Sequence, residues 1–124
     1  MTIQDCYRQL GGDFAKVQSR LPSVSLVERF IAKFLQDDSF DALCRAMEEG
    51  SREQAFHAAH TLKGVCANLC LDRLLASVSR LTEVLRPAAD VMPEQALPLF
   101  EAVRQDYEAT AQAIRAYLAQ KNPA

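Results

Sequence analysis

The only two histidines of this chain, His57 and His60, lie in the segment AFHAAHTLKGVCANL, whose pattern predicts a helix. A neutral imidazole is nucleophilic at a ring nitrogen. Lys63 follows His60 by three residues, so its ammonium group can reach an anion held over that imidazole. Gly64 lies in the interior of the predicted helix, where a glycine lowers helix stability by about 1 kcal/mol relative to alanine. A nucleophile, a cation and a gap in the side chains are the parts needed to receive a phosphoryl group.

A helical projection of this segment separates a buried face from an exposed one. With Leu62 at the centre of the buried face, small and aliphatic residues fall within about 60° of it: Ala55, Ala58, Ala59, Val65, Cys66 and Leu69. His60 lies about 160° away and is predicted to face solvent or a partner. Its neighbours on that outer face are Glu53, Phe56, His57, Gly64 and Ala67, with Lys63 at the edge.

Of the other residues on the outer face, Phe56, His57 and Ala67 are candidates for contact with a docked partner. Phe56 is the candidate for an apolar contact, and packing under the N-terminal helices explains it equally well. His57 is a weaker phosphoryl acceptor than His60, because no lysine follows it by three residues and no small residue opens the surface beside it. Lys63 and Gly64 therefore favour His60 over His57 as the phosphoryl acceptor.

Composition limits the function classes. A chain of 124 residues with a net charge of -2 fits one globular domain and has no clustered basic face for nucleic acid. It has neither a signal-peptide pattern nor an apolar run of membrane-spanning length, which predicts a cytoplasmic protein. The four cysteines are then expected to be free thiols, most simply small buried hydrophobes: Cys6, Cys44, Cys66 and Cys70. Cys66 and Cys70 could share a metal, which is the less favoured interpretation.

Capping residues and helix breakers divide the chain into helices, with no alternating strand pattern. Thr2 and Asp13 are predicted to begin two short helices, which end at Gly11-Gly12 and Pro22. The later helices are predicted to begin at Ser25, Ser39, Ser51 and Asp72, and the last follows Pro93 with a start left open by Pro98. Gly50 and Pro87 are predicted to end two of them.

These elements predict an all-α fold. The four longer helices are expected to form an antiparallel four-helix bundle because their connections are short, with short additional helices at the N-terminus. In domain terms, residues 1–22 form an N-terminal extension packing on the bundle, and residues 23–120 form the bundle itself.

The stretch AHTLKG, Ala59 to Gly64, resembles the H-x-x-K-G signature of histidine-containing phosphotransfer (HPt) domains. The surroundings agree from about Leu26 to Leu118: an F-x-x-x-F helix, a short helix, the signature helix and a leucine-rich helix. The resemblance implies that His60 accepts the phosphoryl group, Lys63 steadies its oxygens and Gly64 leaves access. Many family members have a glycine ten residues after the histidine, whereas this chain has Cys70.

The resemblance also implies partners. The family exchanges phosphoryl groups with receiver domains of response regulators, which supply the acceptor aspartate and its magnesium, and a hybrid histidine kinase is a further possible partner. The chain has no glycine-rich nucleotide loop, so it is expected to be a phosphotransfer protein rather than a kinase. It is expected to bind no cofactor or metal of its own and to act as a free-standing monomer.

Two alternatives stay open. Glu53, His57 and His60 share the outer face and could hold a metal, although bundle metal sites usually point inward and draw on several helices. The chain could also be a helical interaction module whose histidine is never phosphorylated.

Overall fold

The computed structural model describes residues 1–86 and 90–121, where the chain is all-helical and contains no strand. This confirms the predicted fold class. The helices are α1 (Ile3–Gln9), α2 (Phe14–Gln18), α3 (Val24–Phe34), α4 (Ser39–Glu49), α5 (Arg52–Leu69), α6 (Asp72–Leu85) and α7 (Ala96–Lys121).

The longer helices pack as a bundle around one core. Helix α5 packs between α4 and α6, α6 packs on α7, and α3 contacts both α5 and α7. Only two residues connect α4 to α5 and α5 to α6, so these neighbours run antiparallel. The core between them contains fully buried side chains from each layer, among them Ile31, Leu43, Leu62, Leu81 and Ile114. This core holds α5 in place and leaves one of its faces uncovered.

Several predicted helix boundaries are confirmed by their capping geometry. Thr2 Oγ1 accepts from the Asp5 N–H, and the Asp5 carboxylate accepts from the Thr2 N–H, which completes a capping box. Asp13 and Ser51 cap α2 and α5 through their side chains. Gly50 ends α4 with a left-handed φ of 71°, a conformation that glycine adopts without steric cost.

The start of α3 corrects a prediction. Ser23, not Ser25, is the N-cap, and its Oγ accepts a hydrogen bond of 3.2 Å from the Leu26 N–H. Ser25 lies inside the first turn. Both serines suit a helix start, and the chain uses the earlier one directly after Pro22, which adds two residues to the helix.

Two further predicted caps are wrong by one residue. Asp38 precedes α4 and Leu71 precedes α6, and neither makes a side-chain capping bond. The predicted caps, Ser39 and Asp72, are instead the first helical residues. The Ser39 N–H is satisfied by Asp37 Oδ1 at 2.9 Å, and Asp72 places a negative charge where the helix dipole favours it.

Prolines lie near the remaining boundaries. Helix α2 ends at Gln18, four residues before the predicted end at Pro22, and the Leu21 N–H still donates to the Val17 carbonyl at 2.8 Å in the turn that follows. Helix α7 begins at Ala96, so that Pro98 lies in its first turn, where its missing N–H costs little. The predicted end of α6 at Pro87 lies outside the described residues.

The turn between α5 and α6 is held by the N-terminal helices. Cys70 there has φ 55° and is, within 1–86 and 90–121, the one non-glycine residue with positive φ. This conformation costs an L-residue roughly 1–2 kcal/mol. The Tyr7 hydroxyl donates to the Leu69 carbonyl at 2.9 Å, and the Arg73 N–H donates to the Leu10 carbonyl at 3.1 Å. Residues ahead of α3 thus fix the end of the helix that carries both histidines.

Gly12 provides a test of this packing. A Cβ on Gly12 would lie 2.7 Å from the Cys70 carbonyl oxygen, so we expect Gly12→Ala to push the N-terminal helices off the turn. The expected loss is about 1–3 kcal/mol in the free energy of unfolding, measured by urea denaturation. The matched control is Gly64→Ala, because a Cβ there meets nothing within 4 Å and should raise stability. Equal stability of Gly12→Ala and the wild type would contradict this account.

Candidate functional site

Helix α5 presents a buried stripe to the bundle and an outer face to solvent. The buried residues are Ala55, Ala58, Ala59, Leu62, Cys66 and Leu69, in agreement with the projection from sequence. Val65, predicted to be buried with them, is half-buried at the edge of the stripe. His60 is exposed on the opposite side, as are Glu53 and His57.

The His60 imidazole lies against an aromatic ring. The Phe56 ring stacks on it with centroids 6.0 Å apart and planes 18° apart, while Phe56 meets the His57 ring edge-on at 5.8 Å. Phe56 is half-buried, and the Arg86 guanidinium lies 5.5 Å from its ring centroid, within the range of a cation–π contact. Phe56 is thus held from the α6 side, and it limits the positions available to the His60 ring.

Glu83 of α6 interacts with the charged groups on this side of α5. Arg86 forms an ion pair with Glu83 at 2.9 Å, and this hydrogen-bonded partner lowers the pKa of the Glu83 carboxyl. Lys63 also lowers the pKa of the same carboxyl through its charge. Lys63 is half-buried. Glu83 is thus influenced by two cations, Arg86 and Lys63, and Lys63 lies one helical turn from His60.

Arg52, the first residue of α5, fixes the chain that follows α6. Its guanidinium donates to the carbonyls of Val84, Leu85, Arg86 and Val91 at 3.3, 3.3, 2.9 and 3.0 Å. The first three of these bonds satisfy carbonyls at the C-terminal end of α6, where intrahelical partners are missing. They also set the backbone from which Arg86 reaches Phe56.

The other side of His60 is open. A Cβ built on Gly64 has no atom within 4 Å, and Gly64 is exposed. Ala67, the next residue on this face, is half-buried, and its carbonyl accepts a 2.8 Å hydrogen bond from Arg20 Nη1. The surface beside His60 is therefore open at Gly64, and the Arg20 side chain lies beyond it at Ala67.

Three residues at this site were not found from the sequence: Arg20, Glu83 and Arg86. Each is distant along the chain from His60 and is linked to the site only by tertiary packing, Arg20 through the Ala67 carbonyl, Arg86 through the Phe56 ring and Glu83 through Arg86. The predicted residues lie with His60 on α5, where helical spacing alone brings them together: Phe56, His57, Lys63, Gly64 and Ala67.

The residues of the metal-binding alternative do not form a ligand cluster. Across residues 1–86 and 90–121, no group of three or more His, Cys, Asp or Glu is arranged to hold a metal ion, and this includes Glu53, His57 and His60. The four cysteines are free, with Cys44 half-buried and the others buried. Burial raises the pKa of the Cys66 thiol to about 12, which keeps it neutral and weakens it as a ligand.

Comparison with known proteins identifies a family. The family model described as Hpt domain matches residues 25–118. No curated protein and no solved structure gives a significant match. In the part of the chain that the structure describes, no helix is both long and apolar enough to cross a membrane.

Proposed function

This chain belongs to the Hpt domain family, and we propose that it is a phosphorelay intermediary that carries the phosphoryl group on His60. Hpt domains transfer phosphoryl groups through a histidine, together with receiver domains and kinases of two-component systems. The proposed route runs from the aspartyl phosphate of one receiver domain to His60 and then to the aspartate of another. The observation that carries the proposal is the exposed His60 beside the open surface at Gly64.

The bonds that form and break in the transfer step involve the imidazole of this chain and the acyl phosphate of the partner. A ring nitrogen of neutral His60 uses its lone pair to form the N–P bond as the bond from phosphorus to the aspartate oxygen breaks. The carboxylate leaves with that electron pair, and the ring keeps the proton on its other nitrogen until solvent accepts it. The reverse step passes the group to the next receiver. Positioning and charge neutralisation supply most of the catalysis in such transfers.

The roles proposed for the residues around His60 follow from their positions on α5. Lys63 is proposed to steady the phosphoryl oxygens, and Gly64 to leave room for the receiver. Phe56 is proposed to orient the His60 ring by stacking, and Phe56, His57 and Ala67 to contact the docked domain. Magnesium is proposed to be held by the receiver's aspartate pocket rather than by this chain.

The proposal also covers the oligomeric state, the location and the domain organisation of the chain. The chain is proposed to act as a cytoplasmic monomer that neither binds ATP nor phosphorylates itself. Residues 1–22 are proposed to be an extension that packs on the bundle of residues 23–120.

The proposal as a whole is tested by incubating the chain with phosphorylated receiver domains and magnesium. Acid-labile phosphate on the chain is expected, and its absence with every receiver domain of the source organism would contradict the proposal.

Lys63→Ala tests the role of the cation. We expect single-turnover transfer from a phosphorylated receiver to slow roughly tenfold to a hundredfold, since one preorganised charge stabilising the transferring group is lost. The fold should be unchanged because Lys63 is only half-buried. Arg115→Ala is the matched control, since Arg115 is an exposed cation on α7, which packs on α6 and α3. A Lys63→Ala rate equal to that of the control would refute the role.

A further inference from the structure

We propose that Arg86 is a positioning residue for the transfer reaction. Its guanidinium holds the Phe56 ring, and the Phe56 ring in turn limits the His60 imidazole to the orientation that receives the phosphoryl group. This inference rests on the proposed function and adds to it a residue from another part of the chain. Arg86 is the C-cap of α6, whereas the H-x-x-K-G signature lies wholly on α5.

The orientation of an exposed imidazole needs a cause. His60 is exposed, and a side chain on the surface of a helix can populate several staggered rotamers. Transfer requires one of them, in which a ring nitrogen faces the phosphorus at about 3–3.5 Å. A contact that selects this rotamer raises the fraction of molecules that can react.

The Phe56 ring makes such a contact. Phe56 precedes His60 by four residues, so the two side chains are neighbours on one face of α5. Helical side chains lean toward the N-terminus of their helix, which places the imidazole over the turn that contains Phe56. The two rings stack with centroids 6.0 Å apart and planes 18° apart. The orientation of His60 therefore depends on how firmly Phe56 is held.

The Arg86 guanidinium holds Phe56 from the side of α6. Phe56 is only half-buried, so the core does not fix its ring alone. The guanidinium carbon lies 5.5 Å from the ring centroid, within the range of a cation–π contact. Arg86 Nη2 and Nε donate to the two carboxylate oxygens of Glu83 at 2.9 and 3.4 Å. This two-point pairing restricts the guanidinium plane beside the ring.

The backbone of Arg86 is also fixed, and it is fixed to α5. Arg52, the first residue of α5, donates to the Arg86 carbonyl at 2.9 Å and to the Val84 and Leu85 carbonyls at 3.3 Å each. The helix that carries Phe56 and His60 thus also holds the chain from which Arg86 extends. Backbone and side chain together keep the guanidinium at the Phe56 ring.

Three variants and one control test the inference: Arg86→Ala, Phe56→Leu, the double variant, and Arg115→Ala on α7. Single-turnover transfer is measured from a phosphorylated receiver domain and from phosphoramidate, a small donor that needs no docking. We expect Arg86→Ala to lower the maximal rate from both donors about threefold to tenfold, the effect of freeing one side chain. The half-saturating receiver concentration should change less than twofold, and Arg115→Ala should match the wild type.

The double variant shows whether Arg86 acts through Phe56. Residues that act in series are not additive, so Arg86→Ala should have no further effect once Phe56→Leu is present. An equal loss in both backgrounds would show that the guanidinium acts directly on the phosphoryl group or on the receiver. A loss seen only in the half-saturating concentration would place Arg86 in docking alone. Either result would overturn the inference.

NMR of the His60 ring protons reports positioning without any phosphoryl donor. These protons lie beside the Phe56 ring, whose ring current shifts their resonances. In Arg86→Ala the shifts should move toward those of a freely rotating histidine, and in Arg115→Ala they should stay at the wild-type values. A lower melting temperature with unchanged His60 shifts and unchanged transfer would limit Arg86 to stability and contradict the inference.

The failure of this inference can be told from the failure of the proposed function. If receiver domains phosphorylate Arg86→Ala as fast as the wild type, the inference fails and the proposed function stands. If no receiver domain phosphorylates the wild type, the proposed function fails, and a role of Arg86 in that transfer fails with it.

Discussion

The His60→Gln variant is expected to accept no phosphate from any receiver domain that modifies the wild-type chain. Glutamine is polar and similar in reach, but the lone pair of its amide nitrogen is delocalised and does not attack phosphorus. The stability of the fold should change by no more than about 0.5 kcal/mol, because His60 is exposed. The measurement is the acid-labile phosphate bound to the chain after incubation with a phosphorylated receiver.

His57→Gln is the matched control for this result. His57 is also exposed on α5 and also contacts the Phe56 ring, but it has no lysine three residues later. We expect this variant to accept phosphate at a rate within about threefold of the wild type, since it lies beside the reacting group and does not react. If His57→Gln lost phosphate and His60→Gln kept it, the assignment of the acceptor would be wrong.

Gly64→Gln is expected to stabilise the protein and impair its function. The free energy of unfolding should rise by up to about 1 kcal/mol, because glutamine is a better helix former than glycine and nothing lies within 4 Å of the new Cβ. Transfer from a receiver should fall by roughly a hundredfold, since displacement of the reacting groups by about 1 Å has an effect of that size. The two measurements are urea denaturation and single-turnover transfer.

Ala76→Gln separates a blocked surface from a general effect of glutamine. Ala76 is exposed on α6, so the same side chain is added to the surface of a different helix. This control should transfer phosphate as the wild type does. Gly64→Ala should gain stability and lose less activity than Gly64→Gln, because its side chain is smaller. Normal transfer in Gly64→Gln would show that the open surface beside His60 has no role in docking.

The sequence predicts the helices well because their signals are local. Periodic apolar residues and the caps at Thr2 and Ser51 lie within a few residues of the boundaries that they set. The start of α3 was misplaced because two serines, Ser23 and Ser25, compete for the same role. Only the hydrogen bond from the Leu26 N–H shows which one is used.

The residues of the candidate site also fall into two groups, those that local spacing predicts and those that only tertiary packing brings together. Lys63 and Gly64 follow His60 on one helix, so spacing alone predicts that they are neighbours. Arg86 and Arg20 reach the site from the end of α6 and from the segment after α2, through contacts that no local pattern encodes. The open surface at Gly64 could therefore be predicted from the sequence, whereas the contacts of Arg86 and Arg20 could not.

Cys70 shows a departure from the family pattern that the structure explains in part. The sequence has a cysteine where many family members have glycine, and Cys70 adopts the left-handed conformation that glycine favours. The side chain is buried, and Tyr7 and Gly12 pack against the backbone of this turn. Burial and these contacts offset the conformational cost, so the helix ends where a glycine would end it.

The central claim, that this chain relays a phosphoryl group, is tested most directly by the second half of the relay. The chain is phosphorylated by one receiver domain, separated from it, and mixed with a second, unphosphorylated receiver and magnesium. We expect acid-labile phosphate to leave His60 as an equal amount of aspartyl phosphate forms on the second receiver. Phosphate that stays on the chain, or that is released only to water, with every receiver of the source organism would contradict the account.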